Sequence, residues 1–532
     1  CQMTSISPYP PSRTIDTVYG KVQGRRLVFE GDKQVDAYQG IPFAAPPVGE
    51  LRFKKPVPPS RWEGVKQTSE FAPRCIQHAK NSQDFDINGI PSEDSLYLNV
   101  FTPCWKAPKE GFPVMLFIHG GGYINGEAKS YGDIGICENV VTRGIVFVTI
   151  QYRMGYLGFL STGDAVCRGN FGLWDQVEAL KWIQLNIQAF AGNKNNVTLV
   201  GQSAGAASVD MLHLSPHSTG LFHKAIFMAG SQYCRWAMHP DMAEQTRQKL
   251  KRLGVENCGN SEELLMKLRS LPAEEFGVGI YTQVKDAHIE LETGPCWDGD
   301  FFPEPLEVLR AKATPKPFLI GVTQEEGLFP MAGRTSCAAS LSDTLRDVTG
   351  ECRDKEQMKD ALLKRFIGDA TPDDSSYLQG MAGMMSDSFF VSGSADLCKK
   401  TIEIQEEPVY FYVFEHFNPE MMGYLIPYMP LQKATHTCEL FYLFKKALLV
   451  DIELTETEMK VMNIFTTALT NFAKHSDPNG AEADSALSVR WEPVTKIKPR
   501  RNFVMTSGDA TMNDELFEGR TSDFIDIRNK FK

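Results

Sequence analysis

Five consecutive residues, Gly201-Gln202-Ser203-Ala204-Gly205, carry the pattern G-x-S-x-G. A serine hydroxyl is a weak nucleophile until a base takes its proton, so the flanks decide what the pattern can do. Val197-Thr198-Leu199-Val200 comes just before it and reads as a short apolar strand. The stretch from Ala204 to Leu214 comes just after it and reads as a helix. Strand, turn and helix in that order are the context in which G-x-S-x-G makes a nucleophile elbow. On such a turn Ser203 takes an uncommon backbone conformation that lifts its hydroxyl into a cleft. Gly201 and Gly205 leave room for the neighbouring strand and helix, and the helix N-terminus favours developing negative charge. A glycine–serine turn capping a helix would carry the same five letters; the flanking strand and helix favour the elbow.

Attack on an ester carbonyl makes a tetrahedral oxyanion, and losing one preorganised donor to it typically costs ~10²–10³ in rate. His119-Gly120-Gly121-Gly122 ends the apolar run Pro113 to Ile118. Three glycines let the backbone turn its N–H groups into a site. This H-G-G-G type of loop nominates Gly121 and Gly122 as donors, with the N–H of Ala204 as a third. A phosphate-cradling loop would continue into G-K-[ST], and this one does not.

The nucleophile needs a base, suitably a histidine, and a carboxylate to fix that histidine's tautomer. His78, His213, His217, His223, His239, His288 and His475 fall in stretches that read as helix surface or loop. His119 belongs to the glycine loop. His416 follows a strand, and His436 sits just ahead of the apolar run Leu440 to Phe444. Both are candidates. For the acid, Glu326 ends the strand Phe318 to Val322, where this sheet type places its chemistry. Glu325, Asp298 and Asp300 are rivals. The chain order Ser203, Glu326, His436 matches the hydrolase order of serine, acid, histidine.

These residues need a scaffold that brings distant segments together. Apolar, β-branched runs at Pro113–Ile118, Ile145–Ile150, Val197–Val200, Ala225–Met228, Phe318–Val322, Val409–Val413 and Phe503–Met505 read as strands. Leu173, Val177, Leu180, Ile183 and Ile187 recur at steps of three and four, predicting an amphipathic helix that Gly192 and its asparagine-rich turn stop. Strands separated by helical stretches imply crossovers and a largely parallel sheet: an α/β class, with residues 1–532 forming one domain. The proline-rich stretches at Pro8–Pro11 and Pro42–Pro59 read as surface arms. The insert between about Gly230 and Pro430 reads as helices covering one end of the sheet.

Composition excludes other classes. The 532 residues are 42% hydrophobic, far above the disordered range. Lys plus Arg is 55 against 66 Asp plus Glu, a net charge of −11 with no basic block, which argues against a nucleic-acid partner. No apolar run approaches the ~18 residues of a membrane span. The 12 cysteines form no C-x-x-C, so neither a zinc site nor a disulfide-rich scaffold is expected. The chemistry assembled here calls for no metal or cofactor. The chain begins at Cys1 without Met or an apolar leader, which leaves a removed signal peptide open.

The chain resembles the type B carboxylesterases of the carboxylesterase/cholinesterase family, and invertebrate carboxylesterases most of all. The matching stretches are Gly40-Ile41-Pro42-Phe43, Ser92-Glu93-Asp94, Leu96 to Asn99, the His119 loop, Gln151-Tyr152-Arg153, Gly201 to Gly205, Asp298 to Pro303, Glu325 to Gly327 and His436. Together they cover roughly residues 15 to 510. The resemblance implies an α/β-hydrolase fold, a large mostly parallel sheet with helical insertions over an active-site gorge. It implies Ser203 as nucleophile, Glu326 as acid, His436 as base, and Gly121, Gly122 and Ala204 as the oxyanion hole. It selects Glu326 over Glu325 and His436 over His416. It also implies two buried ion pairs, Arg153 with Asp175 and Arg52 with Glu93. The expected function is a serine carboxylesterase acting on small-molecule esters. An acyltransferase with an alcohol acceptor, or a non-catalytic adhesion-type relative, is the alternative.

Departures from the family narrow the substrate. Gln202 stands where cholinesterases carry Glu, and their choline-binding Trp has no counterpart, Phe85 lying near its position. A quaternary ammonium wants an aromatic face and nearby negative charge, so this is not a cholinesterase pattern. Trp236 matches an acyl-pocket residue of relatives. The aromatic residues that narrow that pocket in acetylcholinesterases are replaced by Leu291 and Thr293, implying a roomier one. Ser95 stands where the family has a cysteine paired with the one at Cys75, so that bridge cannot form; Cys75 could instead meet Cys104. Cys258 has no partner at the usual spacing. The one sequon, Asn196-Val197-Thr198, opens a strand expected to be buried. These features lean towards a reducing, intracellular compartment.

Overall fold

The computed structural model describes residues 9–77, 91–255, 258–278, 291–331, 337–350, 352–372, 374–421, 426, 429, 431–446, 452–481 and 487–531. Its frame is a sheet of 13 strands. They are β1 (Pro11–Thr17), β2 (Gly20–Phe29), β3 (Lys33–Pro42), β4 (Val65–Gln67), β5 (Tyr97–Pro103), β6 (Phe112–Ile118) and β7 (Val146–Ile150). They continue as β8 (Gly192–Gln202), β9 (Lys224–Met228), β10 (Phe318–Thr323), β11 (Val409–Phe414), β12 (Asn502–Met505) and β13 (Ala510–Asn513). The order across the sheet is β1-β2-β3-β5-β7-β6-β8-β9-β10-β11-β12-β13, with β4 beside β2. Every pairing from β7 across to β12 is parallel. The two margins are antiparallel apart from β4, which runs parallel to β2. This is an α/β-hydrolase fold, as the resemblance implies.

Each apolar run expected to be a strand is one. Alternation splits them between two cores. Val114, Leu116 and Ile118 pack with Val197 and Leu199 on one face, while Met115 and Phe117 pack with Val200 on the other. Both faces are covered, so β7, β9, β10, β11 and β12 are buried at every position.

Two expectations change. The start of the chain is no surface arm from Pro11 onward: Pro11 opens β1 and Pro42 closes β3. These marginal strands mix polar and apolar residues because they lie at the sheet's rim, so they show no apolar run. The helix α1 (Phe171–Asn186) is not amphipathic; only Lys181 and Leu185 are exposed. It packs beside α2 (Ala204–Leu214), which itself lies on the central strands, and its buried Gln176 amide donates to Ser208 of α2 at 3.3 Å. It ends at Asn186, ahead of Gly192, which instead begins β8.

The parallel centre positions the site. Loops leaving β6, β8, β10 and β11 emerge at one edge, because parallel strands present their carboxyl ends together. Ile118 at the end of β6 pairs with Gly201 on β8. The glycine loop and the serine therefore start side by side. Among the described residues no helix is long and apolar enough to cross a membrane.

Candidate active site

Ser203 joins β8 to α2 at φ 56°, ψ −125°, a conformation that costs on the order of 1–3 kcal/mol for a side-chain-bearing residue. Backbone bonds hold it there: its N–H donates to Met228 O at 2.8 Å, and its carbonyl accepts from Ala207 at 3.0 Å. The glycines explain the spacing. A Cβ at Gly201 would lie 2.3 Å from Gly205 O, and one at Gly205 would lie 2.0 Å from Ile118 O. The first would push the strand off the helix that follows, the second the elbow off the neighbouring strand. The Ser203 hydroxyl caps no helix N–H.

The glycine loop turns at Gly121, φ 105°, and Gly122, φ 59°, both conformations suited to glycine. The carbonyl of Gly121 accepts from Ile124 at 3.1 Å and Asn125 at 3.0 Å, closing the turn. A Cβ on Gly121 would sit 2.0 Å from Asn125 O. His119 is part of this scaffold. Its ring stacks on Tyr152 with centroids 4.6 Å apart, and the Tyr152 hydroxyl donates to His119 O at 2.8 Å. Burial pushes the His119 imidazole down to about 4, so it stays neutral and holds the loop.

The Nδ1–H of His436 donates to Glu326 Oε2 at 2.6 Å, with both side chains buried. Glu326 Oε1 accepts from the Thr323 N–H at 2.6 Å, which fixes the carboxylate plane. Glu325 N–H donates to Ala434 O at 2.9 Å, tying the acid loop to the histidine loop. The rivals sit elsewhere. Glu325 turns its carboxylate to Arg520 Nη1 and the Ser386 hydroxyl, each at 2.9 Å. Asp298 Oδ1 accepts from Asp300 N and Phe302 N, both at 3.1 Å, within its own turn. Asp300 pairs with Lys55 at 2.8 Å. His416 is bound to Glu458 at 3.0 Å and Ser507 at 2.9 Å.

The Nε2 of His436 is met by the Gln202 side-chain amide at 3.2 Å. No hydrogen bond joins His436 to Ser203 among the described residues. Such catalytic bonds are often long or misaligned without substrate and tighten in the complex.

Of the expected pocket residues, Leu291, Trp236 and Gln202 fall around these groups. Leu291 reaches over the glycine loop, its Cδ2 3.0 Å from where a Cβ on Gly122 would be. Thr293 is fully buried. Trp236 donates its indole N–H to Phe389 O at 2.7 Å and packs on Phe390, centroids 5.7 Å apart. Gln202 lies against His436. Phe85 lies outside the described residues. Three neighbours escaped sequence reasoning. Phe390 covers the His436 ring at 4.4 Å, and Phe329 lies 6.0 Å from it. Phe390 sits in a wide π-helical turn, Asp387–Val391, and no local pattern ties it to a histidine 46 residues on. Glu439 is fully buried with both carboxylate oxygens unpartnered, and burial beside Glu326 holds its carboxyl well above the usual range. Its spacing of three from His436 was the only available signal.

The two implied ion pairs are present. Arg153 grips Asp175 at 2.7 and 2.8 Å, and Arg52 grips Glu93 at 2.5 and 2.6 Å. Cys75 contacts the Ser95 hydroxyl at 2.7 Å, and neither Cys75 nor Cys104 is bridged, so the suggested Cys75–Cys104 bond does not form. The Asn196 side chain is taken by Lys224, and Thr198 is fully buried.

Residues 11–522 match the profile of the carboxylesterase family. The chain is similar to esterase cest-33 of Caenorhabditis elegans, 36% identical over 97% of this chain and 94% of that protein. It is similar to a medium-chain fatty acyl-CoA hydrolase precursor of Anas platyrhynchos, 33% identical over 94% of this chain and 93% of that protein. It is also similar to neuroligin-3 of Mus musculus, 29% identical over 94% of this chain and 67% of that protein. The match spans both margins of the sheet and every loop at its carboxyl edge: the chain belongs to the carboxylesterase family and is a carboxylic ester hydrolase.

Proposed function

We propose that the enzyme cleaves carboxylic esters through a covalent acyl-enzyme on Ser203, with His436 as base and Glu326 as the acid that orients it. The observation that carries this reading is the 2.6 Å bond from His436 to Glu326 at the edge where Ser203 sits on its elbow. With substrate bound, the Ser203 hydroxyl takes the place on His436 Nε2 that Gln202 holds at rest. His436 accepts the hydroxyl proton as Oγ attacks the carbonyl carbon. The N–H groups of Gly121, Gly122 and Ala204 receive the oxyanion. The C–O bond to the leaving group breaks, and His436 returns the proton to the departing alkoxide. Water then repeats the sequence on the acyl-enzyme and releases the acid.

Substituting Ser203 by Ala is expected to remove turnover and fluorophosphonate labelling while leaving the unfolding temperature within a few degrees. Residual labelling at another residue would refute Ser203 as nucleophile. Leu291 and Thr293 in place of aromatic walls favour acyl groups longer than acetyl. The kcat/KM for butyryl or hexanoyl nitrophenyl esters should exceed that for acetyl by about tenfold, the scale of added methylenes in an apolar pocket. Equal or better acetyl turnover would sink the roomy pocket. A medium-chain acyl thioester belongs in the same panel, since one relative bears an acyl-CoA hydrolase name.

A further inference from the structure

We propose that Gln202 is a positioning residue: it holds the resting imidazole of His436 by the base nitrogen, and its neutrality sets how far into acid the enzyme works. This rests on the triad reading above. The Nδ1 proton of His436 is committed to Glu326, so the neutral ring offers a lone pair at Nε2. The Gln202 amide donates to that lone pair at 3.2 Å. It occupies the position the Ser203 hydroxyl must reach.

Gln202 is well placed for this. It is the last residue of β8, it pairs in register with Met228 on β9, and it is 2% exposed. Its side chain is wedged against the glycine loop. A Cβ added to Gly120 would lie 2.6 Å from Gln202 O and 2.7 Å from Gln202 Oε1. One side chain therefore touches the base, borders the loop that receives the oxyanion, and precedes the nucleophile in the chain.

The charges around His436 make neutrality at 202 consequential. Phe390 at 4.4 Å and Phe329 at 6.0 Å cover the ring with apolar surface. Glu326 is its bonded partner. Glu439 lies three residues on, and burial beside Glu326 pushes its carboxyl well above the usual carboxylate range. Cys234 and Cys438 lie near Glu326, and burial pushes both thiols up to about 12. Burial likewise raises the Tyr412 phenol near Glu326 and Glu439. Among the described residues the carboxylate bonded to the imidazole is Glu326. A carboxylate at 202 would be a second, and it would touch Nε2 itself. It would bind the imidazolium and withhold the base until higher pH.

The test compares pH profiles of kcat/KM for the parent, Q202E and Q202M on one nitrophenyl ester. In Q202E the acid limb is expected to move up by about one to three pH units, the effect of a charge within hydrogen-bond reach. Q202M fills the space without a donor; its acid limb should stay near the parent's while kcat falls several-fold with KM little changed. An acid limb in Q202E within about half a pH unit of the parent's would overturn the proposal, since only a distant charge acts so weakly. An unchanged kcat in Q202M would overturn it as well, and that variant decides alone if Q202E does not fold. Ser203→Ala measured alongside separates the cases: turnover surviving there refutes the triad reading instead.

Discussion

Glu325 and Glu326 are neighbours in the chain, and both are buried. What separates them is which loops lie across each carboxylate. Glu326 faces His436, while Glu325 faces Arg520 on the C-terminal helix and Ser386. Glu439, 113 residues on in the chain, is a third buried acid that feels the charge of Glu326, and its carboxylate oxygens have neither kind of partner. Its carboxyl is raised by burial, so the folded chain binds that proton more tightly than the unfolded chain does. Stability from this group is full below the ordinary glutamate range near ~4.3 and is lost as pH rises above it. An amide mimics the protonated form. Glu439→Gln should therefore raise the unfolding temperature at pH 8, by on the order of a degree or two, and raise it less at pH 5. Melting curves at both values check this; a variant less stable at pH 8 than at pH 5, relative to the parent, would contradict it.

At the scale of elements, the unusual backbone of Ser203 in the β8–α2 turn is held by hydrogen bonds to Met228 and Ala207. Cys75 and Ser95 meet without a covalent link. Cys75 Sγ and Ser95 Oγ are 2.7 Å apart across a separation of 20 residues. Ser95→Cys should form a disulfide with Cys75 under oxidising conditions. Closing a loop of this length is worth about 3 kcal/mol in the chain-entropy description. Urea unfolding with and without reductant measures it; identical midpoints would mean the bond does not form or is strained.

At the scale of the molecule, the C-terminal helix Arg520–Phe531 closes on the acid loop. Arg520 bonds Glu325 and Asp387 at 2.9 Å each, and Thr521 donates to Asp387 at 2.7 Å. Three segments far apart in sequence meet on one buried guanidinium. Removing one partner of such a cluster leaves the others charged and buried, at a cost of about 3–5 kcal/mol. Arg520→Met should lower stability by that amount and reduce kcat, because Glu325 shares its loop with Glu326. Unfolding midpoints and turnover on one preparation check both; a variant of parental stability would show the cluster to be idle.

Local chemistry was determined by the sequence itself. An apolar run, a glycine-bracketed serine and a helix signal specify the elbow because strand, turn and helix follow one another directly in the chain; its contacts to Met228 and Ile118 then come from the neighbouring strands. The same holds for the glycine loop and for the parallel strands, whose burial on two faces demands continuous apolar runs. The choice among equals was not local. Whether Glu325 or Glu326, and His436 or His416, forms the working pair depends on which loops meet at the sheet edge. The family resemblance supplied that choice; periodicity could not. Phe390 over the imidazole, Glu439 without partners and Gln202 on the base nitrogen were decided by tertiary structure alone. Each contact joins residues that no spacing rule relates, and burial, which sets their protonation, exists only once the sheet has closed around them.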